Sequence, residues 1–259
     1  MLVDIHNHIL PGLDDGPNTM EEAILLAADA VANGVTHIIA TPHHMNGKYQ
    51  NASAVVVEAV ANLNREIANR SIPVQILPGQ EIHFYNSILD DLNENLLTLS
   101  NSGKFLLLEL PSNYFPAFTF EILLEIQLKG FIPIIVHPER NRLLKKDKQK
   151  VYELVKKGAL IQITAASLVG VHGYSVKKYL KDLIKHNLVH FISSDAHHYT
   201  KRPFLLKLAY QYVGKRFSQQ LVNSFQENAK NIITGTAFPT LPPITFKKKR
   251  RFLGIIKLR

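Results

Sequence analysis

Leu2-Val3-Asp4-Ile5-His6-Asn7-His8 is a short apolar run that ends in two imidazoles one residue apart. In an extended chain residues i and i+2 point to the same side, so His6 and His8 can reach one ion together. The design recurs. His37–Thr41 runs into Pro42-His43-His44, Val74–Leu77 is followed by Gly79-Gln80-Glu81, and Lys104–Glu109 ends in an acid. Ile132–His137 runs into Pro138-Glu139-Arg140, and Val189–Ser194 leads to Asp195-Ala196-His197. With Ala159–Thr164 these make seven predicted strands, six of which deliver His, Asp or Glu at their C-terminal ends. Several lack strict alternation and are rich in Ile, Val and Leu, as strands buried on both faces in parallel sheets are.

Helical patterns lie between the strands. Thr19 and Glu22 form a capping box before Ile24, Leu25, Ala28 and Val31, with Gly34 as the stop. Further helices are predicted over about Ala54–Asn69, Phe118–Lys129, Lys148–Lys157, Ser175–His186 and Phe204–Val213. Strand–helix alternation over roughly 235 residues predicts one α/β barrel, whose strand ends would share a single rim.

The chain has 259 residues and no cysteine, which excludes disulfides, thiolate metal sites and a cysteine nucleophile. Its 30 Lys and Arg against 21 Asp and Glu give +9, but residues 247–259 hold seven of the bases and no acid. The body is therefore near +2, which argues against a nucleic-acid channel within the fold. The tail follows Pro239, Pro242 and Pro243, read as a linker, and its bases stand beside Phe252, Leu253, Ile255, Ile256 and Leu258. That pattern suits an anionic membrane surface, with a solvated, frayed terminus as the plainer reading. No apolar run reaches the length of a membrane span and no basic leader precedes the first strand, so the expected location is the cytoplasm.

Mixed imidazole and carboxylate groups suit Mn²⁺, Fe²⁺ or Zn²⁺ better than an oxygen-rich calcium or magnesium cage. One ion would leave most of about nine candidate ligands unused, so two or three ions sharing carboxylates fit better. Arg140 and Arg202 are candidate phosphate readers through their fork-shaped hydrogen bonding, with surface ion pairs as the plainer reading. His44 and His198 stand beside expected ligands as supporting or substrate-facing groups. His37, His83, His172, His186 and His190 read as structural or surface residues, His83 standing two residues after Glu81.

His6-x-His8, Asp15 in Leu13-Asp14-Asp15-Gly16, Thr41-Pro42-His43, Glu81, Glu109, His137-Pro138-Glu139-Arg140 and Ser194-Asp195-x-His197 together resemble the polymerase-and-histidinol-phosphatase (PHP) superfamily. The closer likeness is to its Gram-positive branch of manganese-dependent protein-tyrosine phosphatases of the capsular and exopolysaccharide type. The resemblance implies a distorted (β/α)7 TIM-like barrel over residues 1–240, followed by a linker and basic tail over 241–259. It implies up to three ions, Mn²⁺ first and Fe²⁺ or Zn²⁺ as alternatives. The first would be held by His6, His8, Glu81 and Asp195, the second by Glu81, Glu109 and His137, and the third by Asp15, His43 and His197. Arg140 and Arg202 match the family's phosphate-binding arginines, and His44 is a candidate for contact with the substrate or its leaving group.

The chemistry so implied is hydrolysis of phosphotyrosine by a metal-bridging hydroxide, with a phenolate of pKa about 10 leaving. The implied partner is a phosphotyrosyl protein on a membrane-associated bacterial tyrosine kinase, in control of capsular or exopolysaccharide synthesis. A small-molecule phosphatase of the histidinol-phosphatase type would use the same metal set. A non-catalytic protein docking on membrane or kinase would not need nine such ligands.

Overall fold

The computed structural model describes residues 1–92 and 95–246. The tail 247–259, and with it the expected membrane contact of that tail, lies outside the described residues. Among the described residues nine strands form: β1 Val3–Asn7, β2 His37–Ala40, β3 His43–His44, β4 Gln75–Pro78, β5 Glu81–His83, β6 Phe105–Glu109, β7 Ile132–Val136, β8 Leu160–Thr164 and β9 Phe191–Ser193. The helices are α1 Met20–Ala32, α2 Ser53–Asn69, α3 Ile88–Asp91, α4 Thr119–Leu128, α5 Arg142–Lys146, α6 Lys148–Lys156, α7 Ala165–Val169, α8 Tyr174–Lys185, α9 Leu206–Arg216 and α10 Gln219–Thr234. Thr19 caps α1 by accepting from the Glu22 amide, and Gly34 follows the helix with φ at 82°.

All seven predicted strands form, and every ladder is parallel. Their hydrogen-bonded ladders do not close into one ring. The ladder divides into β1-β2-β4 and β3-β5-β6-β7-β8-β9. The division falls between β2 and β3 and between β4 and β5, the short strands β3 and β5 lying beyond the predicted ones. Pro42 has no amide to give, and its carbonyl accepts from the Glu81 amide at 3.1 Å. At Gly79 a Cβ would lie 2.9 Å from Ile39 Cγ2 and 3.1 Å from Leu99 Cδ2, so the chain passes there only as glycine. Across the remaining gap, β1 and the end of β9 meet through the bridge Asn7–Ala196 and the bonds Asp195 N to His6 O and His8 N to Ala196 O, both 2.9 Å.

Strands buried on both faces need two apolar layers. Ile38, Ile76, Leu106, Leu108, Ile135, Ile161, Ile163 and Ile192 belong to the larger core shared with the helices. The opposite faces supply Val3, Ile5, Ile39, Phe105, Leu107, Ile134, Val136, Leu160 and Phe191 to a second core. Leu99, from the 3-10 turn Leu99–Asn101, and Ala229 and Ile232 of α10 complete that inner layer. Helix α10 was not among the predicted helices. Its apolar positions Val222, Phe225, Ala229 and Ile232 are all buried.

Candidate metal centre

The nine expected ligands converge at the C-terminal ends of the strands. His6 from β1 and Glu81 at the start of β5 approach to 3.4 Å, and His8 Nε2 lies 3.3 Å from both His6 Nε2 and Glu81 Oε2. Asp195 Oδ1 stands 3.8 Å from His6 Nε2 and 3.6 Å from His8 Nε2. His137, one residue past β7, reaches Glu81 Oε1 at 2.8 Å and Glu109 Oε1 at 3.9 Å. Asp15 Oδ1 is 3.5 Å from His43 Nε2 and 3.2 Å from His197 Nε2. Three clusters therefore have ligand atoms close enough to share an ion: His6, His8 and Glu81; His43, Glu81 and Glu109; and His8, Asp15, His43 and His197. Glu81 belongs to two of them.

Local backbone geometry makes this convergence. Extension does not persist to Asp195: its φ is 53°, in the left-handed region, as is the φ of 28° at His137. Asp195 and His197 thus reach the centre through a turn rather than as alternate residues of a strand. Holding non-glycine residues there costs on the order of 1–3 kcal/mol each, a strain that clusters at working sites. Gly16 allows the Asp14-Asp15 loop to close on β1, because a Cβ there would sit 2.0 Å from the His8 carbonyl oxygen.

The ring nitrogens that face away from the cluster are fixed. His6 Nδ1 pairs with Gln162 Oε1 at 3.0 Å, His8 Nδ1 with Asp14 Oδ2 at 2.6 Å, and His197 Nδ1 with the Asp195 carbonyl at 3.0 Å. Each partner is an acceptor, so each Nδ1 carries the proton and each Nε2 presents a lone pair inward. Two such lone pairs 3.3 Å apart on His6 and His8 repel unless something positive lies between them. Among the described residues, His43 Nδ1 and Glu81 Oε2 are buried without a directed hydrogen bond, although only 2.8 Å apart. Inward lone pairs, orphaned buried atoms and ionised carboxylates are what divalent ions require, and the residues present fit them.

Electrostatics agree. Burial pushes the Glu81 carboxyl up, but His6, His43 and His137 hold it well below the usual range. Burial acts likewise on Asp195, and Arg140, His6, His197 and Arg202 outweigh it. Asp15 is lowered chiefly by the His197 ring, whose Nε2 lies 3.2 Å away. Burial opposes charge on His6, His8 and His43, yet the carboxylates raise all three, His8 most through Asp14 and Glu81. His197 is pushed down to about 4 by burial and by His8, whose ring stacks on it at 3.8 Å.

Arg140 and Arg202 flank the cluster. The Arg140 guanidinium meets Asp195 Oδ2, and Arg202 Nη2 lies 3.2 Å from Asp195 Oδ1. Their side chains are 34% and 39% exposed, so both stand at the mouth where an anion would enter. His44 does not join them. Adjacent residues of a strand point oppositely, and His43 faces the cluster. His44 is buried, with Nδ1 donating to the Asn51 carbonyl at 2.8 Å. His83 reaches the edge, with Nδ1 3.3 Å from Glu109 Oε2.

Three supporting residues escaped the sequence reading. Asp14 carries a signal in being one of two adjacent acids. Gln162 carries another, as the one amide in Leu160-Ile161-Gln162-Ile163. Asp4 lies two residues before His6; it accepts from the Ser194 amide at 3.0 Å and from the Ser194 hydroxyl. Burial raises its carboxyl to about 6.

Comparison with known proteins places this arrangement. Residues 2–234 match the family described as capsular polysaccharide synthesis, CpsB/CapC. The chain is 39% identical to the tyrosine-protein phosphatase YwqE of Bacillus subtilis over 251 residues, 97% of this chain and 99% of YwqE. It is 29% identical to the tyrosine-protein phosphatase CpsB of Streptococcus agalactiae over 238 residues, 90% of this chain and 98% of CpsB. Among solved structures it superposes at a TM-score of 0.92, with 40% identity, on one from a study of YwqE from Bacillus subtilis and CpsB from Streptococcus pneumoniae. That study describes the two as metal-dependent tyrosine phosphatases, and the match covers 95% of this chain and 100% of that one.

Proposed function

We propose, from the fact that this chain belongs to the capsular polysaccharide synthesis family CpsB/CapC, that it is a metal-dependent protein-tyrosine phosphatase. The observation that carries the reading is nine His, Asp and Glu side chains gathered beside two half-exposed arginines in a chain without cysteine. His6, His8, Glu81 and Asp195 would hold a first ion. Glu81, Glu109 and His137 would hold a second, and Asp15, His43 and His197 a third, with Mn²⁺ as the ion of first choice. When bound, such ions supply Lewis-acid stabilisation and make water nucleophilic near neutral pH.

The chain's own residues do the rest. Asp14, Gln162 and the Asp195 carbonyl hold three imidazoles in the tautomer that points Nε2 inward. Arg140 and Arg202 turn their forks to the equatorial oxygens of the phosphoryl group and offset the charge that builds there. No thiol is present to form a covalent phosphoenzyme. The substrate in this reading is phosphotyrosine on a protein, carried by a membrane-associated tyrosine kinase on the cytoplasmic side. The two parallel sheets, joined by the Asn7–Ala196 bridge, are read as a distorted (β/α)7 barrel.

The test is phosphate release from a phosphotyrosyl peptide and from histidinol phosphate, side by side, with Mn²⁺ supplied to the purified chain. Strong preference for the peptide supports the proposal. Preference for the small molecule would make this a metabolic phosphatase on the same centre. Equal turnover by the metal-free protein would overturn the mechanism.

A further inference from the structure

The near-neutral charge of the folded body conceals a strong asymmetry. Residues 142–186 hold eleven Lys and Arg against three acids, a net +8, while the other residues of 1–246 sum to −6. The three acids are already engaged. Asp182 pairs with Lys148 at 2.7 Å, Asp147 caps α6 at the Gln149 amide, and Glu153 accepts from the Gln149 side chain. Among the described residues, Lys148 is the one base of the eleven in an ion pair. Helices α6 and α8 are neighbours on the outside of the sheet, joined by the Lys148–Asp182 pair, and the bond from the Tyr179 hydroxyl to the Leu144 carbonyl ties α8 to α5. Lys178, Lys181 and Lys185 fall at i, i+3 and i+7, one stripe of α8. Lys145, Lys146 and Lys156 stand exposed at the ends of α5 and α6.

The C-terminal extension crosses this face. The Asn187 side chain donates to the Pro242 carbonyl, and the Ile244 amide donates to the His186 carbonyl. The Phe246 ring lies 4.0 Å from that of His186 and 4.9 Å from Lys148 Nζ. Leu241 and Ile244 are 64% and 49% exposed beside the lysines. The next residues in sequence are Lys247-Lys248-Lys249-Arg250-Arg251. Positive charge is thus continuous from the folded helices to the start of the tail, with exposed apolar side chains among it.

We propose that α5, α6, α8 and the extension through Phe246 form a docking face for an anionic phospholipid bilayer. Charge alone would suit any polyanion. Leu241 and Ile244 favour lipid, because an interfacial segment uses basic residues at the headgroups and apolar ones just beneath them. The face uses none of the metal-centre residues. The proposal does not depend on which phosphate ester the centre hydrolyses.

The test is co-sedimentation of the full chain with phosphatidylcholine vesicles, with and without roughly a third phosphatidylserine. The parent should bind the anionic vesicles, and salt should release it. Replacing Lys145, Lys146, Lys156 and Lys185 by Gln, with the tail intact, should weaken that binding about fivefold per lysine, more than a hundredfold in all. Leu241→Ser with Ile244→Ser should weaken it further in a salt-insensitive way. Lys207→Gln with Lys215→Gln, on α9, should change it by no more than a few-fold. A thermal melt unchanged from the parent shows that the variants fold. Full vesicle binding by the four-lysine variant overturns the proposal, as does equal binding to neutral vesicles. Binding to RNA but not to vesicles would identify a different polyanion and equally overturn it.

Discussion

Asp14→Asn tests whether the outward partners of the imidazoles set the strength of the metal centre. Asp14 is not placed as a ligand. Its Oδ2 takes the His8 Nδ1 proton at 2.6 Å and the His43 amide at 3.0 Å, while Oδ1 takes the Gly16 amide at 3.0 Å. Asparagine keeps the shape but offers one acceptor where aspartate offers two. With its NH₂ toward His8 it faces two donors; turned around, it faces the Gly16 amide. Either way a buried hydrogen bond is lost, worth about 1–3 kcal/mol, and the His8 ring loses its ionic partner. Losing an outer partner of this kind weakens metal binding or activity by about 10–100-fold, or roughly 1.4–2.7 kcal/mol. Calorimetric titration of Mn²⁺ into the metal-free parent and variant reads the change directly, and turnover at saturating Mn²⁺ reads what remains of catalysis. A variant that binds Mn²⁺ as tightly as the parent and turns over equally fast would refute the reasoning that Asp14 orients His8.

Arg140→Ala should keep the metal and lower kcat/KM for an aryl phosphate by about 10–100-fold, since charge-assisted hydrogen bonds contribute about 1.5–3 kcal/mol; unchanged kinetics would remove it from phosphate binding. Gly16→Ala forces the loop off the His8 carbonyl and should lower metal affinity and activity together, which metal titration checks. His190 is buried, with Nδ1 accepting from the Ile161 amide, and burial holds it down at about 4. Its folded value lies below its unfolded one, so it destabilises the fold as pH drops from about 6.5 toward 4, by up to about 3 kcal/mol. His190→Asn should flatten that part of the stability curve, as urea melts at pH 7 and pH 4.5 would show; an unchanged slope would mean that other groups carry it.

The sequence made the strands and the ligand set readable because their signals are local. A short apolar run ending in His6, Glu109 or His137 needs no knowledge of its neighbours. The break at Gly79 is not local, since it depends on Leu99 packing across the chain at that point. The ladders therefore divide between β2 and β3 and between β4 and β5, and β3 and β5 lie beyond the strands the sequence predicts. Helix α10 is hard to read because Asn223, Asn228 and Asn231 lower its helix propensity, while its apolar stripe at Val222, Phe225, Ala229 and Ile232 is thin. His44 follows His43 in sequence, but alternation along β3 turns its ring to the Asn51 carbonyl, a partner that adjacency does not announce. Asp14 and Gln162 act on ligands 6 and 156 residues away, so residue type alone does not assign their partners.

The seam between β1 and β9 also governs when the centre comes into being. It joins Asp4 to Ser194, 190 residues apart, and His6 to Asp195 beside it. In synthesis His6 and His8 come with β1, yet Asp195 and His197 arrive only after β9 has been made. Contacts so far apart in sequence form late and slowly, because the intervening chain must be ordered before they close. An ion held by residues on both sides of the seam binds the closed chain and not the open one, so it acts as a clasp whose hold on the fold grows with metal concentration. Incomplete chains then carry no competent centre, and hydrolysis begins only once the two ends of the sheet have met.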